Sequence, residues 1–223
     1  MKRPAVVTGG ASGVGLAVAE RLLDDGWPVA IIDFDAEALA DAEERLGDED
    51  VIFIRADPTD EEELAEAFDQ CVDALGPVAA LVNAGRDDED VADDALSGER
   101  LRRALEFGVM AMQAACREAV ERRGDELSIV NMLAQSTPGA ASAAARAGVK
   151  ALSEGLATEL GPKGVRVNCV AWRRNEAMEN VPLRRPSEPD EIAASVAFLL
   201  SPEASYVNGH TLVVDGGRSS NGQ

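Results

Sequence analysis

Histidine, tyrosine and lysine are almost missing from this 223-residue chain, which holds one His (His210), one Tyr (Tyr206) and three Lys (Lys2, Lys150, Lys163). A lone histidine offers no imidazole cluster, so no metal site is expected. The three cysteines, Cys71, Cys116 and Cys169, are scattered and form no CxxC pair. That usage fits reduced thiols in a cytoplasmic setting rather than a disulfide framework. Apolar runs of membrane-spanning length are also missing, and Met1-Lys2-Arg3-Pro4 leads straight into an apolar segment. Neither a membrane span nor a signal peptide is expected. With no repeat, linker or low-complexity stretch, one domain over residues 1–223 is the simplest expectation.

Positive charge is scarce too. Asp and Glu number 41 against 21 Lys and Arg, for a formal charge of −20. Such a surface repels nucleic acid and anionic membranes, which excludes both as partners. The carboxylates are spread through helical segments such as Asp60 to Asp73. They read as a solvated, soluble surface of the kind suited to high salt, not as an acidic interaction tail.

What the chain has is glycine in one telling place. The apolar run Ala5-Val6-Val7 enters Thr8-Gly9-Gly10-Ala11-Ser12-Gly13-Val14-Gly15, and a helix-period segment from Val14 to Leu23 leaves it. A strand, a tight glycine turn and a helix N-terminus aimed back at the turn make a phosphate site, because free N–H groups and the helix dipole both face it. Glycine is needed where φ is positive or where a side chain would block a pyrophosphate. The spacing is G-x-x-x-G-x-G rather than the commoner G-x-G-x-x-G.

Strand and helix patterns then alternate to the end of the chain. Strands are expected at Val29–Ile32, Val51–Ile54, Val78–Val82, Ser128–Met132, Val165–Ala171 and Thr211–Val214. Helices are expected at Ala36–Leu46, Glu61–Leu75, about Glu99–Arg122, Ala140–Leu160 and Asp190–Leu200. Short, continuously apolar strands between helices predict an α/β fold: a doubly wound Rossmann-type domain of about seven parallel strands with helices on both faces. Ligands of such sheets bind outside the carboxyl ends of the strands, where Gly9, Asp33, Asp57 and Asn83 fall. Asp33 closes the second strand, and a carboxylate there accepts ribose hydroxyls and repels a 2′-phosphate. It favours NAD over NADP, and Phe34 supplies no compensating cation. The helix N-cap before Ala36 is served equally well by Asp35.

These features together resemble the short-chain dehydrogenase/reductase family. The resemblance rests on Thr8-Gly9-x-x-x-Gly13-x-Gly15, Asp57 after the third strand and Asn83-Ala84-Gly85 after the fourth. It also rests on Gly164-Val165-Arg166-Val167-Asn168, on Pro189-Asp190-Glu191-Ile192-Ala193 with Phe198-Leu199-Leu200-Ser201, and on Gly209-His210 to Asp215-Gly216-Gly217. It spans the whole chain. It implies a nicotinamide cofactor held by Thr8, Gly9, Ser12, Gly13, Val14, Gly15, Asp33, Phe34, Asp57, Pro58, Asn83, Ala84 and Gly85. It also implies a homo-oligomer, dimer or tetramer, built from the last strand and the two long central helices.

The family's chemistry uses Asn, Ser, Tyr and Lys, and the resemblance fails at each. Two landmarks, Glu159 and Asn168, both put the family Lys at Arg146, which puts the Tyr at Ser142. The Ser position falls on Ala134 and the Asn position on Gly108. Shifting by one helical turn makes Lys150 the lysine but leaves Arg146 at the tyrosine, and Tyr206 lies in no catalytic segment. A serine is a far weaker acid than a phenol, and arginine stays protonated, so ordinary dehydrogenase activity is expected to be absent or very weak. The Ala134–Ser142 connection and the lid at Arg174–Leu183 are shorter than the family's, and Trp172-Arg173 replaces its Pro-Gly. Pro58 removes an N–H that the family turns to adenine, so cofactor binding is expected to be weakened.

Two functions follow. The first is an NAD(H)-binding, inactive or non-canonical subunit of a homo-oligomer, or of a hetero-oligomer with an active homologue. The second is an oxidoreductase, or a non-redox lyase or isomerase, with an altered Ser142/Arg146 site. There Arg86, Arg146, Arg173 and Arg174 would hold an anionic small molecule, unless they pair with Asp87, Asp88 and Glu176.

Overall fold

In a computed structural model, residues 4–47, 50–85, 97–134, 139–173 and 181–222 are described. Seven strands form one parallel sheet in the order β3-β2-β1-β4-β5-β6-β7. They are β1 Ala5–Thr8, β2 Val29–Asp33, β3 Val51–Arg55, β4 Val78–Asn83, β5 Arg123–Ala134, β6 Val165–Trp172 and β7 Thr211–Val214. The helices are α1 Gly13–Asp24, α2 Ala36–Leu46, α3 Glu61–Leu75, α4 Gly98–Leu105, α5 Ala111–Glu121, α6 Ala140–Leu160 and α7 Pro189–Leu200. The chain starts at β1 in mid-sheet, winds outward to β3, then crosses back to β4 and winds to β7. The order reverses between β1 and β4, which opens a crevice at their carboxyl ends.

Side chains alternate across each strand, so each strand feeds two cores. Val7, Ile31, Val82, Val130 and Val170 face α1, α2 and α7. Val6, Ile32, Leu81, Ile129 and Cys169 face α3, α5 and α6. The strands read as unbroken apolar runs because both faces are covered.

The long helix expected over Glu99–Arg122 is not regular. α4 and α5 are joined through a π-helical segment, Glu106–Met110, around Gly108. Glycine weakens the ordinary ladder there, and a wide turn re-aims the helix over α6. β5 also begins earlier than expected, because Arg123 pairs with Val78 ahead of the apolar run.

The Arg166-Val167-Asn168 stretch owes its residue types to packing. Arg166 caps the end of α7 by donating to the carbonyls of Leu199 (2.9 Å) and Ser201 (3.4 Å). Asn168 donates to Val207 O at 2.9 Å and accepts from His210 N–H at 3.0 Å. These bonds hold the segment between α7 and β7 against the amino end of the sheet.

Candidate functional site

The glycine turn and the Asn83-Ala84-Gly85 stretch close on each other at the switch between β1 and β4. Ala84 N–H donates to Thr8 O at 2.9 Å, and a Cβ on Gly9 would lie 2.7 Å from Ala84 O. A Cβ on Gly15 would lie 2.1 Å from Gly9 O. Both glycines are therefore required by the backbone itself. Gly13 and Gly85 differ: among the described residues, a Cβ on either meets nothing within 4 Å. They border open space, and Gly13 has φ +57°, where glycine alone is unstrained.

Helix α1 points its N-terminus into that space. Its N-cap, Ser12, makes no side-chain cap, and no acidic residue occupies its first turn. The first helical bond is Leu16 N–H to Ser12 O, so the amides of Gly13, Val14 and Gly15 precede it. The contrast with α2 and α3 is informative. Asp35 caps α2 by accepting from Glu37 and Ala38, and Asp60 caps α3 by accepting from Glu62 and Glu63. Here the N-cap before Ala36 is thus Asp35, and Asp33 is left for another task.

Asp33 is buried, 4% exposed, and its carboxylate is already engaged. Oδ2 accepts from Ala11 N–H and Oδ1 from Asp35 N–H, each at 3.2 Å. Each oxygen keeps a second lone pair for a ribose hydroxyl. Phe34 beside it is exposed. At the end of β3, Asp57 accepts from Thr59 N–H (2.8 Å) and Oγ1 (2.7 Å), and its own N–H donates to Glu63 Oε2. Pro58 follows with no N–H to give.

Thr8 and Asn83 turn inward. Thr8 Oγ1 donates to Asn83 Oδ1 at 3.0 Å, and both residues are buried. Their side chains tie β1 to β4, so what they can offer a ligand is the position of the loops that follow them. The chain continues into residues the sequence reading did not single out. Asn83 Nδ2 donates to Asn131 Oδ1, Asn131 Nδ2 to Ser153 Oγ, and Ser153 Oγ to Val149 O. Cys116 sits against both amides, and burial pushes its thiol up to about 12, so it is a packed neutral group.

The four positions at which the sequence places the family's Asn, Ser, Tyr and Lys, namely Gly108, Ala134, Ser142 and Arg146, lie toward the same carboxyl edge. Gly108, in the π-helical segment, packs so closely on α6 that its Cβ would lie 3.2 Å from Ala145 Cβ. Ser142 and Arg146, one turn apart on α6, are half-buried, and Ala134 ends β5. Arg146 is engaged within the fold. Lys150 is not an alternative, because its side chain is 55% exposed and pairs with Glu154 on the same helix. Tyr206 is fully exposed in the segment between α7 and β7. That segment lies at the amino end of the parallel sheet, opposite the crevice. Arg86 and Arg174, two of the four arginines expected at the mouth, lie outside the described residues, as do their candidate partners Asp87, Asp88 and Glu176. The third, Arg173, is half-buried, and its carbonyl accepts from Ser187 Oγ.

The family model described as "Enoyl-(Acyl carrier protein) reductase" matches residues 9–219. The chain belongs to the short-chain dehydrogenase/reductase family. It is 31% identical to a probable 2,4-dienoyl-CoA reductase of Bacillus subtilis (strain 168), over 97% of this chain and 96% of that one. It is 31% identical to a 3-oxoacyl-[acyl-carrier-protein] reductase of Mus musculus, over 97% and 98% of the two chains. A dehydrogenase/reductase from Sinorhizobium meliloti 1021 superposes with a TM-score of 0.87 at 28% identity, covering 97% of this chain and 94% of that one. Members of this family are oxidoreductases that bind NAD(P), and they are commonly oligomers. The crevice fits that nucleotide: an uncapped helix N-terminus for the pyrophosphate, bare glycines beside it, and a carboxylate at the next strand end. Among the described residues no helix is long and apolar enough to cross a membrane.

Proposed function

We propose that this chain is an NAD(H)-binding member of the short-chain dehydrogenase/reductase family that has lost the family's proton relay. It acts as a non-catalytic subunit of an oligomer, with copies of itself or with an active homologue. The observation that carries this reading is the contrast along one sheet edge. The phosphate cradle of Gly9, Gly13, Gly15 and α1 is intact, while Gly108, Ala134, Ser142 and Arg146 offer no phenol and no lysine.

The amides opening α1 would hold the pyrophosphate, and Asp33 would accept the adenosine ribose hydroxyls and favour NAD over NADP. The bound nicotinamide supplies the hydride in active members of such a family. A carbonyl oxygen beside it needs a proton donor, and positions 108, 134, 142 and 146 bring only the Ser142 hydroxyl and a guanidinium that stays charged. Without a hydroxyl at Ala134, nothing from β5 would orient that oxygen. With Pro58 supplying no N–H, the adenine end would be held more loosely than in the family at large.

Titration of intrinsic and nucleotide fluorescence with NADH and NADPH tests the binding half, with NADH the tighter ligand. Steady-state assays on ketones and secondary alcohols test the catalytic half. Turnover of order 1 to 10³ per second, the ordinary range for enzymes, overturns the non-catalytic reading.

A further inference from the structure

We propose that Arg55 stands at the cofactor's 2′-ribose position and narrows the preference for NAD that Asp33 imposes, so that these two residues together set nucleotide choice. This rests on the cofactor reading above.

The sheet register brings the two residues together. β2 and β3 pair in parallel with Asp33 opposite Arg55, each the last residue of its strand. In a parallel pair, residues in register project from the same face. Here that is the face of α1 and α2, because Val29 and Ile31 of β2 and Val51 and Phe53 of β3 all pack there. Asp33 spends its two inward lone pairs on the amides of Ala11 and Asp35, and so is pulled toward the glycine turn on the β1 side. Arg55 is exposed and lies on the other flank. Its Nε donates to the carbonyl of Phe34 at 3.3 Å, which fixes the side chain across the end of β2.

That is its one hydrogen bond among the described residues, and it uses Nε alone. The two terminal amino groups are left for a ligand, and no carboxylate forms an ion pair with them among the described residues. In a chain of charge −20, an arginine without a carboxylate partner among the described residues is conspicuous where three acidic residues stand nearby in the chain: Asp33 at the end of β2, Asp35 capping α2 and Asp57 just past β3. The chemistry suited to that fork is a phosphate monoester, which a guanidinium binds through paired N–H groups. A carboxylate at this strand end selects the free ribose hydroxyl, and a nearby arginine accommodates the 2′-phosphate. This crevice has both, on adjacent strands. Their opposed effects make the selectivity for NAD smaller than the carboxylate alone would give.

The test compares NADH and NADPH binding to the full chain before and after Arg55→Gln, by fluorescence titration at low and high salt. Arg55 is exposed, so the melting temperature should not move. NADPH binding is expected to weaken about five- to tenfold, with NADH changed less than about twofold. Arg55→Lys, which keeps the charge, should recover most of the NADPH affinity. 2′,5′-ADP and 5′-AMP, used as adenosine-half probes, should show the same split, and the difference should shrink at high salt. An unchanged ratio of NADPH to NADH affinity in Arg55→Gln overturns the assignment. A wild-type chain that binds neither nucleotide overturns the cofactor reading itself and this inference with it.

Discussion

The side-chain amide of Asn83 donates to Asn131 Oδ1 at 2.8 Å, joining β4 to β5 beneath the crevice. It is the second of four links in a chain in which every donor points the same way, from Thr8 through Asn83, Asn131 and Ser153 to Val149 O. Such a chain crosses three strands and ends on α6, the helix that carries Ser142 and Arg146. All four side chains are buried, so removing one member leaves its neighbours without water to replace it.

Asn131→Ala is therefore expected to cost about 2–4 kcal/mol, from two orphaned partners at about 1–2 each. Asn131→Asp costs at least as much, because it turns the donor facing Ser153 into an acceptor. Chemical denaturation with urea reads both, and a loss under 1 kcal/mol for Asn131→Ala would show that the chain contributes little.

Two glycines of the same turn should respond differently to alanine. A Cβ on Gly15 overlaps the Gly9 carbonyl at 2.1 Å, so Gly15→Ala forces the turn apart and costs about 3 kcal/mol or more. Gly13→Ala meets no atom of the described residues within 4 Å and costs only the positive-φ strain, about 1–2 kcal/mol. Its methyl group nonetheless enters the space assigned to the pyrophosphate. NADH affinity should fall more than about tenfold while the fold survives. Thermal melts paired with nucleotide titration separate the two effects.

Charge sets a third expectation. With a formal charge of −20, self-repulsion opposes the compact state, and its range is about 10 Å at 0.1 M salt and about 3 Å at 1 M. Melting temperature should rise steadily as KCl is raised from about 0.1 to about 2 M. One buried ion-pair cluster should respond little to salt. Glu118, 3% exposed, is held between Arg117 and Arg122, and Arg122 also grips Asp69 of α3. Arg122→Ala leaves that buried carboxylate with one cation and should cost about 3 kcal/mol, little relieved by salt. A melting temperature that is flat or falls with KCl would remove self-repulsion as the governing term.

Low pH should loosen the entry to α7. Glu191 accepts from both terminal nitrogens of Arg185 and from Glu188 N–H, and these bonds pull its carboxyl from 4.5 down to about 2. The folded state thus binds the proton less readily than the unfolded chain does. The stabilisation is complete above about pH 4.5 and is lost as the pH falls toward 2. The stability difference between wild type and Glu191→Gln should shrink across that window. Both partners are about half exposed, so the effect at neutral pH is small.

The parallel fold was legible because its signals are local. The apolar runs ending at Thr8, Ile32 and Val82, the glycine turn and the α6 bounds Ala140–Leu160 all follow from neighbours in the chain. What was not legible depends on residues far apart. Arg55 is an ordinary surface arginine until β2 and β3 are set in register, which brings it beside Asp33. The π-helical segment at Gly108 was hidden because helix periodicity runs smoothly through it. The hydrogen bond between the side chains of Thr8 and Asn83 likewise shows only once β1 and β4 lie side by side.

Restoring the family's residue types tests whether the four replaced positions are all that is missing. The variant carries Gly108→Asn, Ala134→Ser, Ser142→Tyr and Arg146→Lys, and it is expected to remain without ordinary dehydrogenase activity. Gly108 approaches α6 so closely that an asparagine Cβ would lie 3.2 Å from Ala145 Cβ, so Ala145 must give by a few tenths of an ångström to admit it. Ala145 lies between positions 142 and 146 on α6, so the adjustment falls beside the places of the new phenol and lysine. Proton transfer needs the phenol within about 3 Å of the reacting oxygen, and a misplacement of about 1 Å is enough to cost about a hundredfold. Arg146 is also engaged within the fold, and lysine replaces its planar five-donor group with a compact point charge. A second variant, adding Ala145→Gly, relieves the contact with the new side chain at position 108 and should bind NADH no worse than the first. Steady-state oxidation and reduction assays on both variants decide the matter. Turnover near 1 per second or above in either would show that the pocket around these positions is already shaped for catalysis.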